Sequence, residues 1–369
     1  MYLRELTLHN FRNYEKLSLS FGSNMIILVG RNAQGKTNIL ESIVYTCTGR
    51  SHRTSRDREV IRFGEEFAYI KAVVEKHIGK NTIEIGLDKN KKKMININGT
   101  AAKRLGQLMG NINGVLFSPE DLRLIKDGPA ERRRFLDMEI SQIRPQYFYK
   151  LQQYNKILSQ RNNLLKEIQR RPSMKKSLPV WNEQLALSGA YIAEERSRFI
   201  KGLTKISKEI HDSITFGREE LDIIYRPSIP LKGETDKTAE NFLRILESGQ
   251  ELDIERGITL KGCHRDDIIF MINNRDTRVY GSQGQQRTVV LSLKLSEIDI
   301  MKNITGESPI LLLDDVMSEL DDHRQKMLLN SIGEVQTIIT TTDINDIPIG
   351  DNGRCEIYRV DNGNVWRQL

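Results

Sequence analysis

The 369-residue sequence has no hydrophobic run near the roughly 18 residues that a membrane span requires. Its three cysteines, Cys47, Cys263 and Cys355, are widely separated and lack C-x-x-C spacing, which argues against a disulfide framework and a structural zinc site. No internal repeat or low-complexity tract is present. The opening MYLRELTLHN alternates apolar and polar residues, which predicts a first strand rather than a signal peptide. We therefore expect a cytoplasmic globular protein that does not enter membranes.

What the sequence does have is a basic excess. Lysine and arginine number 56 against 49 aspartates and glutamates, so the net charge is +7 and the pI is about 9.1. A balance of this sign favours a polyanionic partner such as nucleic acid, although charge alone does not decide it.

The segment GRNAQGKTN, which starts at Gly30, fits the pattern G-x-x-x-x-G-K-[ST]. It follows the apolar run MIILV and precedes the helix-like NILESIVY, as a phosphate-binding loop requires. Glycines let backbone N–H groups turn towards phosphate oxygens, Lys36 can reach the β- and γ-phosphates, and the Thr37 hydroxyl can ligate magnesium. The candidate nucleotide-binding residues are Gly30, Arg31, Asn32, Ala33, Gln34, Gly35, Lys36 and Thr37.

A second candidate element of the nucleotide site lies in PILLLDDVMSELDDHR. Four apolar residues, 310–313, precede Asp314 and Asp315, as expected of a buried strand that ends at the phosphates. We predict that Asp314 acts on magnesium, directly or through its ligands, and that Asp315 orients the attacking water.

A third element, YGSQGQQRT, stands directly before an amphipathic helix. Ser282, Gly284 and Gln285 therefore face outward at a helix N-terminus, which attracts anions. Because the loop at Gly30–Thr37 already surrounds one nucleotide, the sequence favours a symmetric dimer in which each nucleotide lies between the loop of one copy and the Ser282 element of the other.

The middle of the chain is predicted to be helical, whereas period-two alternation predicts a strand-rich first third. Apolar residues at three- and four-residue steps predict one helix from Gln146 to Arg171, with Arg161 the one polar residue in its stripe. The breaker PSMKKSLP separates it from a second predicted helix, from Trp181 to about Ile210. The simplest interpretation is an antiparallel hairpin, too short to be a long coiled-coil arm.

Taken together, these motifs resemble the ABC-type ATPase heads of the SMC and RecF group. The likeness covers nearly the whole chain and includes FSPEDLRLIKDGPAERRRFLD, GCHRDD, GSQGQQRT and LLLDDVMSELDDHR. It implies an α/β fold: a P-loop ABC-type ATPase head with a mixed sheet and flanking helices, and a helical insertion domain containing a short antiparallel helical hairpin. Residues 1–125 and 258–369 would form the discontinuous ATPase core, and residues 126–257 the inserted helical arm.

The resemblance also implies the chemistry. ATP and Mg²⁺ would be the cofactors, with ATP held by residues 30–37, the metal by Thr37 and Asp314, and Lys36 and Asp315 in catalytic roles. Ser282, Gly284 and Gln285 would form the signature that meets the γ-phosphate of the partner's nucleotide.

The sequence departs from this group in three places. Asp315 stands where most ABC-type ATPases have glutamate, so slow hydrolysis is expected from the shorter side chain. The residues 340–342 are threonines where many members have a switch histidine. Cys263 replaces the proline expected before the His264–Asp267 stretch, which has no assigned role.

For function, the resemblance implies an ATP-dependent DNA-binding protein of recombinational repair and replication. It would act at gaps, helping RecO and RecR to load RecA, and would support the SOS response. A weak ATPase would serve as a switch, with ATP closing a homodimer on DNA and hydrolysis releasing it. Two alternatives stay open: the nucleotide-binding subunit of an ABC transporter, and a structural SMC-like linker with far longer coiled coils.

Duplex DNA, or duplex at a single-strand junction, is the expected nucleic acid, since few aromatic residues lie near the basic clusters. The alternative for each cluster is an ordinary solvated surface. The candidate contacts are Arg50, Arg53, Arg56, Lys103 and Arg104.

Overall fold

The computed structural model describes residues 1–347 and 355–368. Its strands are β1 (Tyr2–Phe11), β2 (Tyr14–Ser20), β3 (Met25–Val29), β4 (Phe67–Lys76), β5 (Gly79–Asp88), β6 (Met94–Ile97), β7 (Thr100–Ala101), β8 (Gly114–Phe117), β9 (Leu221–Arg226), β10 (Asp267–Ile272), β11 (Arg275–Asp276), β12 (Ile310–Asp314), β13 (Thr337–Thr341), β14 (Cys355–Asp361) and β15 (Asn364–Gln368). Its helices are α1 (Lys36–Thr48), α2 (Arg123–Lys126), α3 (Pro129–Ile143), α4 (Pro145–Arg170), α5 (Leu178–Thr215), α6 (Thr235–Ser248), α7 (Gln250–Arg256), α8 (Thr277–Tyr280), α9 (Gln283–Thr305) and α10 (Asp322–Ile332).

The chain divides into two compact units. The first combines Met1–Leu122 with Val290–Leu369, and the second is Arg123–Val289. The sequence-based division puts residues 258–289 in the ATPase core, whereas they pack within the second unit, beside the helical region. Their functional assignment to the core stays a prediction.

The first unit contains an antiparallel sheet and a mixed sheet. The antiparallel sheet has the order β2-β1-β4-β5-β6-β7, and the mixed sheet has the order β15-β14-β3-β13-β12-β8. Within the mixed sheet, β14, β3, β13, β12 and β8 run parallel and β15 is antiparallel. Because β13 separates β3 from β12, the residues that follow these strands meet at one edge of the sheet. The predicted α/β class with a mixed sheet is confirmed.

Helix α1 is a core element rather than a surface helix. Eleven of its thirteen residues are buried, and Ile39, Leu40 and Ile43 join the same hydrophobic cluster as side chains of both sheets. This burial explains why α1 has little amphipathic pattern: apolar residues are favoured around most of its circumference. The start of the helix, and the loop before it, are therefore held firmly in place.

In the second unit, the predicted helical hairpin is confirmed. Helices α4 and α5 are joined by a 3₁₀ turn at Pro172–Ser177. Their side-chain pairs run in opposite directions: Arg161 bonds Asn182, and Arg196 bonds Tyr147. Helix α5 starts earlier than predicted, because Pro179 lies in its first turn, where proline costs no hydrogen bond. Its 38 residues give a length of about 57 Å.

The only polar residue of the apolar stripe on α4, Arg161, is fully buried. Its guanidinium donates to Asn182, Asp253 and Thr259 at 2.7–2.8 Å. A charge in this position is tolerated because it is paired and hydrogen-bonded.

Over the described residues, the structure has no helix with the length and apolar character needed to cross a bilayer.

Candidate functional site

The loop 30–35 connects β3 to α1, and close packing restricts the residue type at both of its glycines. A Cβ atom on Gly30 would lie 2.2 Å from the carbonyl oxygen of Val360, which is backbone and cannot move aside. Gly35 has φ +117°, and a Cβ there would lie 2.5 Å from Asn13 Nδ2. Both positions therefore require glycine, one for close approach and one for its backbone conformation as well.

Lys36 places its ammonium inside the mouth of this loop. Its Nζ donates to the carbonyl oxygens of Gly30 at 2.6 Å and Arg31 at 3.1 Å, and the residue is only 4% exposed. Burial lowers the pKa of Lys36, and the charges of Asp315 and Asp314 partly oppose that shift. Within the described parts of the chain, the cation has carbonyl partners but no direct ion pair, so it retains the ability to attract an anion.

A carboxylate and two hydroxyls meet at the sheet edge beside the loop. Asp314 Oδ1 accepts from Thr37 Oγ1 at 2.9 Å and from Thr340 Oγ1 at 2.8 Å. Burial raises the pKa of Asp314, while these two hydrogen bonds lower it. The structure thus brings together Thr37 and Asp314, which lie 277 positions apart in sequence.

Asp315 adopts a left-handed backbone conformation, with φ +52°, directly after β12. Its N–H donates to Thr340 Oγ1 at 2.9 Å, so a single threonine bonds both consecutive aspartates. Aspartate tolerates the left-handed region better than most residues, because its short polar side chain can hydrogen-bond to nearby backbone groups. In the sequence, Thr340 stands out only as one of three threonines in place of the expected switch histidine, and its contact with the aspartates has no sequence signal.

Asparagines brace the outside of the loop, and the sequence did not predict them. Asn13 Nδ2 donates to the carbonyl oxygen of Gln34 at 2.9 Å, and its Oδ1 accepts from Asn38 Nδ2 at 2.8 Å. On the other side, Gln34 Oε1 accepts from the backbone N–H of Asn362 at 2.6 Å. Two distant segments, at Asn13 and Asn362, therefore hold the loop together with Asn38 at the start of α1.

Glu41 connects α1 to the basic segment that follows it. It is fully buried and accepts two hydrogen bonds from Arg12, at 2.9 and 2.6 Å, and one from Ser51 Oγ. Burial alone would raise the pKa of Glu41, but the bonds from Arg12 and Ser51 and the charges of Arg12 and Arg53 bring it below its usual range. A paired carboxylate of this kind organises the segment 51–54 next to the loop.

The predicted DNA contacts differ in their surroundings. Arg53 bonds Asn38 Oδ1 at 3.0 Å and lies 3.5 Å from Glu41, so it is part of the network next to the loop. Arg56 is 3.5 Å from Glu59 with its side chain 65% exposed. Arg50, Lys103 and Arg104 are exposed.

In the second unit, Ser282 is the residue before α9, and it forms a reciprocal cap with Gln285. The backbone N–H of Gln285 donates to Ser282 Oγ at 3.2 Å, and that of Ser282 donates to Gln285 Oε1 at 2.9 Å. Gln285 Nε2 also donates to Glu219 at 3.0 Å. The Gln285 amide is thus already engaged, whereas Ser282 is exposed and Gly284 is half-exposed.

The unassigned stretch 264–267 anchors the helices of the second unit. Asp266 accepts from Arg196 at 2.8 Å and from the backbone of Ser228, and it also accepts from the Tyr225 hydroxyl. Burial raises the pKa of Asp266, and the charge of Arg196 opposes it. Arg196, almost fully buried, also contacts Asp137 and the carbonyl oxygen of Cys263.

The neighbours of Asp266 continue this anchoring. Asp267 pairs with Arg132 at 2.7 Å, and His264 Nδ1 lies 2.7 Å from the Tyr154 hydroxyl. Burial lowers the pKa of His264 to about 4, so its ring is neutral near neutral pH. These contacts give the stretch a structural role within its unit.

Comparisons with known proteins agree on one family. A family model described as the RecF/RecN/SMC N-terminal domain matches residues 2–362. The chain is 46% identical over 368 residues to the DNA replication and repair protein RecF of Clostridium botulinum (strain Okra / Type B1), with 100% of each chain covered.

Solved structures show the same likeness. The recombination mediator protein RecF-ATP in the RecFOR pathway is 40% identical with a TM-score of 0.93, over 100% of this chain and 98% of that one. The SmcHead bound to the C-winged helix domain of ScpA is 16% identical with a TM-score of 0.57, over 100% and 97% of the two chains. This last likeness concerns the fold alone.

Proposed function

The chain belongs to the RecF family of ABC-type ATPases, and we propose that it is an ATP-dependent DNA-binding protein of recombinational repair and replication. The observation that carries the proposal is the convergence of Lys36, Thr37 and Asp314 at one end of the parallel strands. A lysine in the mouth of a glycine loop, with a hydroxyl and a carboxylate beside it, suits a nucleoside triphosphate better than any other common ligand.

ATP would bind through residues 30–37. The loop backbone and the start of α1 take the phosphates, and Lys36 exchanges its carbonyl partners for phosphate oxygens. The surroundings fit Mg²⁺ as well, because Thr37 and Asp314 present oxygen donors 2.9 Å apart and the remaining positions suit phosphate oxygens and waters. When bound, the ion would neutralise charge on the β- and γ-phosphates.

The nucleotide site is completed by a second copy. Ser282 and Gly284 are accessible at the start of the long helix α9, where N–H groups and the positive end of the helix dipole favour an anion. ATP bound to one copy would recruit the Ser282 element of the other, with the Gln285 amide holding the cap together. The homodimer thereby depends on ATP.

Hydrolysis would be slow and would serve as a release step. Asp315 follows Asp314 at the end of β12, and its shorter side chain reaches less far towards an attacking water than a glutamate would. Its backbone N–H is held by Thr340, so the main chain cannot easily shift to bring the shorter side chain closer.

DNA binding would rest on charge. A dimer carries +14, from two copies at +7 each, and its basic residues include Arg50, Arg56, Lys103 and Arg104. In the RecFOR pathway named for the similar solved structure, the expected partners are gapped DNA, RecO and RecR, with RecA loading and the SOS response as the outcome. The protein would act in the cytoplasm.

The test is ATP-dependent dimerisation, measured by light scattering with and without duplex DNA. Lys36→Ala should lose ATP binding, Ser282→Arg should keep ATP binding and lose the dimer, and Asp315→Asn should prolong the dimer. ATP-independent dimers, or Ser282→Arg dimers of wild-type strength, would contradict the composite site. DNA affinity should fall roughly 10³–10⁵-fold between 50 and 200 mM salt if about 6–10 phosphates are contacted.

A further inference from the structure

A cavity of about 340 Å³ lies beside the Ser282 element, within the second unit. Its walls include Asn273, Arg275, Thr277, Tyr280, Gly281 and Gln285. We call it the Tyr280 cavity. Its volume lies in the range of pockets that hold small organic ligands.

The polar groups of the Tyr280 cavity have spare bonding capacity. Thr277 is 1% exposed, and its hydroxyl has no hydrogen-bond partner among the described residues. That oxygen is closed off from solvent, so Thr277 forms part of the wall, and the groups that a ligand can reach belong to Arg275 and Asn273. Arg275 is exposed and has no acidic partner in the described part of the chain. Asn273 uses its Oδ1 to accept from the backbone of Glu220, and its amide hydrogens have no acceptor among the residues described.

Tyr280 supplies an aromatic face at the rim. Tyr280 is 70% exposed, so most of its surface is open to a ligand. Position 281 cannot carry a side chain, because a Cβ there would lie 2.5 Å from the carbonyl oxygen of Thr277. A cavity lined by both an open aromatic ring and a guanidinium is suited to a flat, π-rich group such as a nucleobase.

The Tyr280 cavity is continuous with the proposed γ-phosphate contact. Gln285 lines the cavity and caps the same turn as Ser282, and Gly281 directly precedes that serine. We infer that the cavity receives the base and sugar of the ATP whose phosphates are held by the loop of the partner copy. This inference rests on the proposed function, and it makes the dimer recognise the nucleoside as well as the phosphates.

The first test compares ATP-driven dimerisation of full-length variants. Tyr280→Ala and Arg275→Ala should raise the protein concentration for half-dimerisation about tenfold or more, the loss expected for one base-stacking contact. Tyr280→Phe keeps the ring and should stay near wild type. Val279→Ala is the matched control, because Val279 is equally exposed but does not line the cavity. ATP binding to the monomer, followed with a ribose-labelled fluorescent ATP, should not change in any of the four.

The second test locates the base directly. Irradiating the dimer with 8-azido-ATP and mapping the labelled peptides should place label within residues 272–285, and Ser282→Arg should abolish this label while ATP still binds its monomer. Wild-type dimerisation by Tyr280→Ala and Arg275→Ala, or a dimer labelled only elsewhere, would overturn the inference. Ser282→Arg dimers of wild-type strength would instead overturn the proposed function, so the two failures are distinguishable.

Discussion

Thr340 offers the sharpest test of how the site is built. It is fully buried in β13, donates to Asp314 Oδ1 at 2.8 Å and accepts from the N–H of Asp315 at 2.9 Å. Thr340→Val keeps the shape and the β-branching but removes the hydroxyl. Asp314 then keeps only its bond from Thr37, and the Asp315 N–H loses its acceptor.

The size of the effect follows from the bond that is lost. A hydrogen bond to a charged group contributes about 1.5–3 kcal/mol, so the variant should need roughly 10–100 times more Mg²⁺ for ATP-driven dimerisation. The pH dependence should move as well. Burial raises the pKa of Asp314 and the Thr340 bond lowers it. Losing that bond therefore raises the pKa further, and because the metal needs the carboxylate, the acid-side loss of function should begin at a higher pH.

The assay is a Mg²⁺ titration of dimer formation at several pH values, with thermal unfolding to verify that each variant is folded. Thr340→Ser, which keeps the hydroxyl, is the matched control and should behave nearly as wild type. A Thr340→Val protein that is folded and has the wild-type Mg²⁺ requirement would refute the assignment of Asp314 to the metal.

Further predictions concern the loop, the second unit and DNA. Gly35→Ala should weaken ATP binding about 5–150-fold in an equilibrium titration, because the new Cβ is strained at φ +117° and meets Asn13. Arg196→Met should lower the free energy of unfolding by about 3–5 kcal/mol in urea, since it leaves the buried Asp266 carboxylate without its charged partner. Arg198→Met on the same helix should cost at most about 1 kcal/mol, because the Arg198 side chain is 59% exposed and its partner Glu195 keeps its ion pair with Arg144; equal effects would contradict the burial argument. Arg50→Ala should reduce the salt slope of DNA affinity by about 1 if Arg50 contacts a phosphate, and an unchanged slope would remove it from the interface.

Much of the fold could be predicted because local patterns carry it. The helical hairpin could be predicted from apolar spacing, but α5 starts three residues before the predicted Trp181, with Pro179 in its first turn, and ends five residues after the predicted Ile210. The role of Arg161 was not predictable: a charged residue in an apolar stripe indicates neither its partner Asp253 nor its full burial, because that partner lies 92 positions away. The grouping of residues 258–289 with the helices was not predictable for the same reason. It depends on a contact between segments that are distant in sequence, the pairing of strand β10 with β9.

By itself, the sequence determined the chemistry of this protein's loop. Gly30, Gly35, Lys36 and Thr37 lie so close together along the chain that their spacing alone specifies a phosphate site. Only the tertiary structure decided which groups complete it. Thr340 reaches Asp314 because β13 lies between β3 and β12, and the Tyr280 cavity exists because the turn before α9 packs against β10 and β11. The physical reason is that a motif encodes backbone conformation over a few residues, whereas hydrogen-bond partners and cavities depend on which distant segments the sheets bring into contact.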